Sequence, residues 1–341
     1  MTDLDPHRAV LALVTPVAAA LICAGLIVLL RPLLQRYALA RPNARSSHVT
    51  PTPQGGGIAV MAATAVAAVL IGLFWAPGSG GAIPIVLAAA LCLAAVGMVD
   101  DLRPIEVAPR LALQFAVVTV VMATLPAQIR ILETIPLWLE RGLLILGLLW
   151  FVNLVNFMDG LDWMTVAEML PMTVALAAFA FFGEAPSDIL PIALALAGAL
   201  LGFAPFNRPV ARLFLGDVGS LPIGLLTGWC LIELASHQHV VAALLLPLYY
   251  LADATITLFR RAAAGDRFWD AHRSHFYQRA TDNGFSVRRV VLDVFLLNLL
   301  LAGLATTSIA AGSARVDAAM LALGALLVTV VLARFSRSRR D

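Results

Sequence analysis

The stretch Asn153-Leu-Val-Asn-Phe-Met-Asp-Gly-Leu-Asp162 places two amides and two carboxylates where a long apolar run ends. Such polar groups at the edge of a hydrocarbon layer are costly unless they bind something. If the helix continues, Asn153, Asn156 and Asp159 share one face, and Gly160 then lets the backbone turn. Converging hard oxygen atoms suit a small divalent cation and the phosphates that it bridges. The alternative interpretation is a polar helix end capped by its own side chains.

The composition around this stretch is typical of a membrane protein. Of 341 residues, 61% are hydrophobic and 13% are charged, and the mean hydropathy is +0.90. Soluble domains carry about a quarter charged residues, so we expect a single polytopic domain over residues 1–341. Every basic residue is arginine, so arginine must supply any phosphate binding, and no basic run suggests nucleic acid.

Eleven apolar runs are candidates to span the membrane, since a spanning helix needs roughly 20 residues. The sequence therefore predicts an all-α integral membrane protein, a polytopic bundle of about 11 transmembrane helices. The shorter runs alternatively form re-entrant segments. The runs fall at about 9–30, 55–75, 82–99, 109–125, 137–156, 165–183, 188–204, 217–235, 239–259, 290–311 and 316–334.

The distribution of arginine predicts the orientation of this bundle. With a periplasmic N-terminus and a cytoplasmic C-terminus, the cytoplasmic segments contain nineteen of the 23 basic residues. Because basic residues collect in cytoplasmic loops, this orientation is favoured. It places the loops at 31–54, 100–109, 156–164, 205–216 and 260–289 on the same side. We therefore expect the function to lie on the cytoplasmic face.

The first cytoplasmic loop ends in three glycines that open a helix, Gly55, Gly56 and Gly57. Backbone N–H groups at such a helix start bind anions, and Arg45 and His48 nearby would strengthen a phosphate site. A flexible hinge is the alternative interpretation. On the anion interpretation, Arg45, His48, Gly55 and Gly56 belong to a lipid-phosphate or loop site.

Asp100 and Asp101 form an adjacent pair of carboxylates at the end of a membrane helix. They repel each other unless a cation lies between them, and acidic residues are unfavourable at a helix C-terminus. The pair therefore predicts metal binding or a carboxylate that acts as a base, with a solvated helix end as the alternative. Arg110 starts the next helix and is placed to face the same site.

The segment Phe214-Leu-Gly-Asp217-Val-Gly-Ser220 sets an acidic residue between glycines, just before an apolar helix. Asp217 is either a helix cap or a metal ligand with clearance for a phosphate. Phe214 offers a flat surface on which a base can stack.

The last cytoplasmic loop contains His272, Arg273 and His275 in a cationic strip. Two histidines with an arginine between them suit a diphosphate. Zinc binding is the alternative, but no further ligand nearby completes a tetrahedral site.

With these clusters, the chain resembles the polyprenyl-phosphate N-acetylhexosamine-1-phosphate transferases, glycosyltransferase family 4. The Asp-Asp pair, Asn-x-x-Asn-x-x-Asp-Gly, Phe-x-Gly-Asp-x-Gly-Ser and the last loop follow the family's order and spacing. The match runs from about Arg41 to Arg279, and two C-terminal helices and a basic tail follow at 290–341. The form His-Arg-Ser-His-x-Tyr-Gln is most similar to the O-antigen-initiating branch. The eleven-helix layout with the N-terminus outside is also the family's.

The resemblance implies transfer of a HexNAc-1-phosphate from a UDP-activated N-acetylhexosamine to undecaprenyl phosphate, with release of UMP. This is the first membrane step of O-antigen or other surface polysaccharide synthesis. The resemblance also implies Mg²⁺, with Mn²⁺ as an option, membrane lipids as neighbours, and a bacterial inner membrane protein with a cytoplasmic active site. It leaves the sugar and the oligomeric state open, a homodimer included, and it implies no nucleic acid partner.

Roles for individual residues also follow from the resemblance. Asp217 and Asn156 match the family's magnesium ligands. Asp100 or Asp101 matches the group that deprotonates or orients the lipid phosphate, and Asp159, in the turn near the nucleotide, is the third catalytic candidate. The residues expected near the nucleotide and the sugar phosphate are Asp162, Phe214, Arg110, His272, Arg273 and His275.

Two other functions remain as alternatives. A phospho-MurNAc-pentapeptide transferase belongs to the same class, but its run of three histidines is missing here. A lipid-linked sugar transporter or flippase should place ionisable residues midway along its helices. Asp253 and Glu233 lie in or near apolar runs, but they are too few to define a path.

One departure from the family pattern is Pro104, which stands where relatives with Asp-Asp-x-x-Asp have a third carboxylate.

Overall fold

The computed structural model describes residues 6–40, 51–75, 82–266 and 273–338. Within these ranges the chain forms helices and one pair of short strands. The helices are α1 Pro6–Tyr37, α2 Gly56–Trp75, α3 Ala82–Leu102, α4 Val107–Met122, α5 Leu137–Met158, α6 Met164–Phe181, α7 Ile189–Phe203, α8 Asp217–Ser236, α9 Val240–Leu245, α10 Leu248–Ala263, α11 Phe276–Asp282, α12 Val287–Ala311 and α13 Ala314–Phe335, and the strands are β1 Leu39–Ala40 and β2 Thr52–Pro53.

Each predicted apolar run carries helix, which confirms the helical fold class. The run at 239–259 is divided, because α9 ends at Leu245 and α10 begins after Pro247. The short helix α11 and the β1–β2 pair were not predicted. The two strands are antiparallel, with Leu39 opposite Pro53.

Eight of the described helices are long and apolar enough to cross a membrane: α1, α2, α3, α5, α6, α8, α12 and α13. The protein is therefore a polytopic membrane protein. α4 and α7 are apolar but shorter, at 16 and 15 residues. The total of about 11 crossings, the periplasmic N-terminus and the cytoplasmic C-terminus stay predictions.

Helix α8 forms the centre of the bundle, and Trp229 on it is fully buried. Helix α8 packs against α3 and α5, whereas α7 packs against α1, α2 and α6. Small residues permit this close packing, since a Cβ atom on Gly198 or Gly202 of α7 would collide with the backbone of α1. The position of α8 matters for function because its first residue is Asp217.

Candidate active site

Three helix ends meet at Asp217, the first residue of α8. The side-chain nitrogen of Asn156, in the last turn of α5, donates to Asp217 Oδ1 at 2.7 Å and to Ser220 Oγ at 3.0 Å. The carboxyl group of Asp100, near the end of α3, lies within hydrogen-bonding reach of the Asp217 carboxyl group. Two carboxyl groups this close share a proton or need a cation between them. The predicted convergence of Asp100, Asn156 and Asp217 is therefore confirmed.

The carboxylate of Asp101 has different hydrogen-bond partners from that of Asp100. Its two carboxylate oxygens accept hydrogen bonds from the backbone N–H groups of Asp217, at 3.0 Å, and Val218, at 3.2 Å. The Asp101 side chain thus caps the N-terminus of α8 from another helix, where a negative charge is favourable. Gly216 precedes the helix at φ +77°, and a Cβ atom there would lie 2.5 Å from Asp101 Oδ2.

Asp100 is held by a cation and by the backbone. Arg110 Nη1 donates to Asp100 Oδ2 at 2.7 Å, and the Ile105 N–H donates to Asp100 Oδ1 at 2.5 Å. The Asp100 side chain is only 8% exposed. The expectation that Arg110 faces the acidic pair is confirmed, whereas its contact with substrate phosphates stays a prediction.

Asp159 forms the C-terminal cap of α5, so the helix does not continue through it. Its carboxyl group accepts a hydrogen bond from the Thr165 hydroxyl group. Burial raises the pKa of Asp159 to about 7, and the nearby charges of Asp101 and Asp162 act in the same direction. A carboxyl group that titrates near neutrality is suited to hold or release a proton.

Asn153 does not join the site, which corrects the expectation that it shares a functional face with Asn156. Its side-chain nitrogen donates to Gln114 Oε1 on α4 at 2.7 Å and to the Leu149 carbonyl at 2.8 Å. The physical reason is that Asn153 is buried against a neighbouring helix and satisfies its amide there.

The glycines at the end of the first loop are packed against neighbouring residues, and the N–H groups of Gly56 and Gly57 are not exposed. The N–H groups of Gly56 and Gly57 donate to the carbonyls of Phe214 and Leu215, at 2.9 and 2.8 Å. A Cβ atom on Gly56 would lie 2.6 Å from the Phe203 ring, and all three glycines, including Gly55, are buried. The prediction that Gly56 and Gly57 offer their N–H groups to an anion is therefore wrong, because these donors already have partners.

We call the cluster of Asp100, Asp101 and Asp217 the acidic centre. Asp162 and Phe214 lie on the loops beside it. Asp162 is buried, and its Oδ2 accepts from the Ala211 N–H at 2.9 Å, which ties the loop after α5 to the loop before α8. Phe214 pairs with Gln54 in a parallel bridge, and its N–H donates to the Pro53 carbonyl at 2.8 Å. Their predicted contacts with a nucleotide stay predictions.

His275 is held in a buried network centred on Asp253 of α10. The His275 side chain is 2% exposed, and its Nδ1 lies 3.3 Å from Asp253 Oδ1. The N–H groups of Phe276 and Tyr277 donate to the two Asp253 oxygens, at 2.9 and 3.1 Å, so Asp253 also caps α11. The geometry favours a positioning role for His275, and its predicted diphosphate contact stays a prediction. The sequence did not indicate this capping role of Asp253, because the N–H groups that it caps lie more than twenty residues away in sequence.

α11 brings the last loop to the acidic centre. The Tyr277 hydroxyl group donates to the Phe157 carbonyl at 3.0 Å, and Gly160 packs so closely that a Cβ atom there would collide with the same hydroxyl group. Arg273 lies along α11, where its Nη2 contacts Thr281 and Asp282, both at 3.1 Å. The sequence predicted that the loops after α3 and α5, the loop before α8 and the last loop lie at one face of the bundle. This prediction is confirmed for the described residues. Arg45, His48 and His272 lie outside the described residues.

The capping role of Asp101 leads to a first test. We expect Asp101→Ala to lower the free energy of unfolding by about 1–2 kcal/mol, since it removes the acceptor of two helix N–H groups. The change is measurable as a lower unfolding midpoint in detergent. Asp282→Ala is the matched control, because Asp282 is 54% exposed and its ion pair is screened by water. Equal midpoints for the two variants would show that Asp101 does not stabilise α8.

The fold and the site define a polytopic membrane protein with a carboxylate–amide centre at adjoining helix ends. The sequence model of Glycosyl transferase family 4 matches residues 83–235, which contain Asp100, Asn156, Asp159 and Asp217. The chain belongs to glycosyl transferase family 4. This confirms the predicted similarity to the polyprenyl-phosphate N-acetylhexosamine-1-phosphate transferases.

Three relatives illustrate the extent of the similarity. Decaprenyl-phosphate N-acetylglucosaminephosphotransferase of Mycobacterium tuberculosis is 30% identical over 341 aligned positions, which cover 89% of this chain and 83% of the relative. The protein of the same name from Mycobacterium leprae is 29% identical, with coverage of 86% and 81%. Phospho-N-acetylmuramoyl-pentapeptide-transferase of Ruegeria pomeroyi is 27% identical, with coverage of 76% and 80%.

Proposed function

We propose that the protein transfers an N-acetylhexosamine-1-phosphate from a UDP-activated sugar to a polyprenyl phosphate in the membrane. The observation that carries this proposal is the contact among Asp100, Asn156 and Asp217, which belong to three separate helices. The names of the relatives support the substrate classes, since they are phosphotransferases that act on decaprenyl phosphate and a phospho-N-acetylmuramoyl-pentapeptide transferase. For this chain we propose undecaprenyl phosphate as the acceptor and O-antigen or another surface polysaccharide as the pathway.

The proposed reaction joins an oxygen of the acceptor phosphate to the phosphorus that carries the sugar, and UMP leaves. Both reactants are polyanions, so a site with low dielectric constant must neutralise them. Arg110, paired with Asp100 on the site's edge, supplies one positive charge. We propose that Asp100 orients or deprotonates the acceptor phosphate and that Asp159 holds a proton nearby.

The donor atoms fit a hard divalent cation, Mg²⁺ or Mn²⁺. Carboxylate oxygens of Asp100 and Asp217 and the amide of Asn156 are the ligand types that Mg²⁺ prefers. Among the described residues, no group of three or more acidic, histidine or cysteine side chains is placed to hold a metal ion. An ion at this centre would therefore need ligands from water and substrate phosphates, as Mg²⁺ commonly has. When bound, the ion would neutralise charge on the transferred phosphoryl group.

We place the active site on the cytoplasmic face of a bacterial inner membrane. The support is the arginine distribution, since the loops that meet at the site belong to the side with nineteen of the 23 basic residues. The reaction must occur at a helix end because the phosphate of a lipid stays at headgroup depth. The described contacts of Asp101, Asn156 and Tyr277 join the ends of neighbouring helices, which supports this proposal.

The direct test is a transfer assay with purified protein. The acceptor is undecaprenyl or decaprenyl phosphate in detergent, the donors are UDP-GlcNAc, UDP-GalNAc, UDP-QuiNAc and UDP-FucNAc, and the readout is UMP release together with the lipid product. We expect one donor to be turned over. Failure with every donor and both acceptors would contradict the proposed reaction.

Removal of divalent metal is a separate prediction. We expect excess EDTA to stop UMP release and added Mg²⁺ or Mn²⁺ to restore it, because Asp100 and Asp217 hold like charges close together. The control is the unfolding midpoint, which should show intact protein in EDTA. Full turnover in excess chelator would end the metal proposal.

Two other functions have weaker support. Phospho-MurNAc-pentapeptide transfer is favoured by the Ruegeria pomeroyi relative, and UDP-MurNAc-pentapeptide in the same assay tests it. A transporter needs ionisable groups along a path through the bundle. Asp253 instead caps α11, and Glu168 Oε2 accepts from Asn298 at 2.5 Å between α6 and α12. These buried acids therefore serve contacts between helices.

A further inference from the structure

A second polar cluster lies where α10 ends and α11 begins, apart from the acidic centre. A cavity of about 270 Å³ opens there, and mainly basic and hydroxyl side chains line it. Its lining residues are Thr257, Arg260, Arg261, Ser274 and Arg279. We call it the basic cavity.

The described residues that line the basic cavity include three arginines and no carboxylate. Three guanidinium groups around one space repel one another unless an anion lies between them. Arg261 pairs with Asp266 at 3.5 Å, but Asp266 is 53% exposed, so water weakens this pair. The Arg260 guanidinium lies 5.4 Å from the centre of the Phe276 ring, which restricts its position. The cavity is therefore arranged to receive a negative group.

Ser274 adds a hydroxyl group with an unused hydrogen-bonding capacity. Its Oγ is buried and has no hydrogen-bond partner within the described part of the chain. A buried hydroxyl group without a partner costs free energy, and an anion oxygen in the cavity would accept its hydrogen bond. The same atom would then complete a set of charged and neutral donors around the ligand.

The exposed apolar side chains of α10 favour a location of the basic cavity near the membrane surface. Ile256 is 41% exposed and Phe259 is 72% exposed, whereas Thr257 between them is buried. In a membrane protein, an exposed apolar face of this kind contacts lipid. Arg260 and Arg261 follow directly in sequence, and basic side chains next to such an apolar face are suited to contact headgroup phosphates.

We propose that the basic cavity binds a phosphate group, carried either by an anionic lipid headgroup or by a soluble phosphate compound. The cavity is connected to the rest of the site through Thr257, whose hydroxyl group donates to Asp253 Oδ1 at 3.3 Å. Asp253 in turn caps α11 and contacts His275. Binding needs no turnover, so this inference and the proposed transfer reaction fail independently.

The test measures binding to the purified full chain with two probes. The lipid probe is phosphatidylglycerol in phosphatidylcholine nanodiscs, and the soluble probe is inorganic pyrophosphate. Excess EDTA is present throughout, so that binding through a divalent ion at the acidic centre does not contribute. The variants are Arg260→Gln, Arg279→Gln and Ser274→Ala. The control is Arg36→Gln, since Arg36 is exposed at the end of α1 and lies 5.2 Å from the centre of the Tyr37 ring, much as Arg260 lies over Phe276.

We expect wild-type protein to bind at least one probe. Arg260→Gln and Arg279→Gln should each weaken binding by about tenfold or more, since each loses a charge-assisted hydrogen bond. Ser274→Ala should weaken it less, and Arg36→Gln should leave it unchanged within about twofold. Binding of phosphatidylglycerol alone assigns a headgroup, and binding of pyrophosphate alone assigns a soluble phosphate. The proposal is overturned if neither probe binds, or if Arg36→Gln weakens binding as much as Arg260→Gln.

Discussion

Replacing Asp217 by asparagine is expected to abolish transfer, with kcat lower by at least about a thousandfold, while the protein still folds and inserts. The carboxylate of Asp217 contacts Asn156 and lies beside Asp100, so its negative charge is central to the proposed metal site. Asparagine has the same shape but no charge. Removing one of two adjacent carboxylates also relieves their repulsion, so the unfolding midpoint should not fall.

The measurement is UMP release under saturating donor, with the unfolding midpoint recorded for each variant. Asp100→Asn is expected to have the same effect on transfer, whereas Glu133→Gln, at an exposed position in the loop before α5, should keep wild-type kcat. Turnover close to wild type in Asp217→Asn would remove this carboxylate from the proposed mechanism. A loss of transfer together with a lower midpoint would instead indicate a structural role.

Gly57→Ala is expected to destabilise the bundle by about 3 kcal/mol, because helices α2 and α8 touch at this residue. A Cβ atom on Gly57 would collide with the backbone of Gly219. Backbone atoms cannot rotate away as a side chain does, so the two helices must separate. Separation of α8 would also displace Asp217, which lies two residues before Gly219.

Gly72→Ala on the same helix is the matched control. A Cβ atom on Gly72 meets no atom within 4 Å, so the substitution should change the free energy of unfolding by about 1 kcal/mol at most. The two variants are compared by their unfolding midpoints in one detergent. Similar midpoints would mean that the α2–α8 contact does not limit stability.

The sequence predicted the helices well because a long apolar run in lipid must satisfy its backbone hydrogen bonds internally. The break at Pro247 was not foreseeable from proline alone. Pro16 and Pro32 lie inside α1, and Pro171 and Pro222 lie inside α6 and α8 without ending them. α11 was missed because it has only seven residues and is largely polar.

The acidic centre could be predicted as a set, but the partner of each oxygen atom could not. Asp100 and Asp101 are adjacent in sequence but have different partners. The carboxyl group of Asp100 contacts Arg110, and that of Asp101 contacts the backbone of α8. The second contact joins residues 116 positions apart, and no local pattern specifies it. The anion-binding prediction for the glycines failed for a similar reason, since the N–H groups of Gly56 and Gly57 donate to carbonyls of a loop that is distant in sequence.

The capping of α8 by Asp101 has a mechanical consequence. Both oxygens of this side chain are tied to the peptide groups of Asp217 and Val218, so the end of α3 and the start of α8 must shift together. A ligand that binds the Asp217 carboxylate can therefore displace it only by moving both α3 and α8. We expect the contact between α3 and α8 to stay rigid through a catalytic cycle, and the movements that admit and release substrates to occur in the surrounding loops.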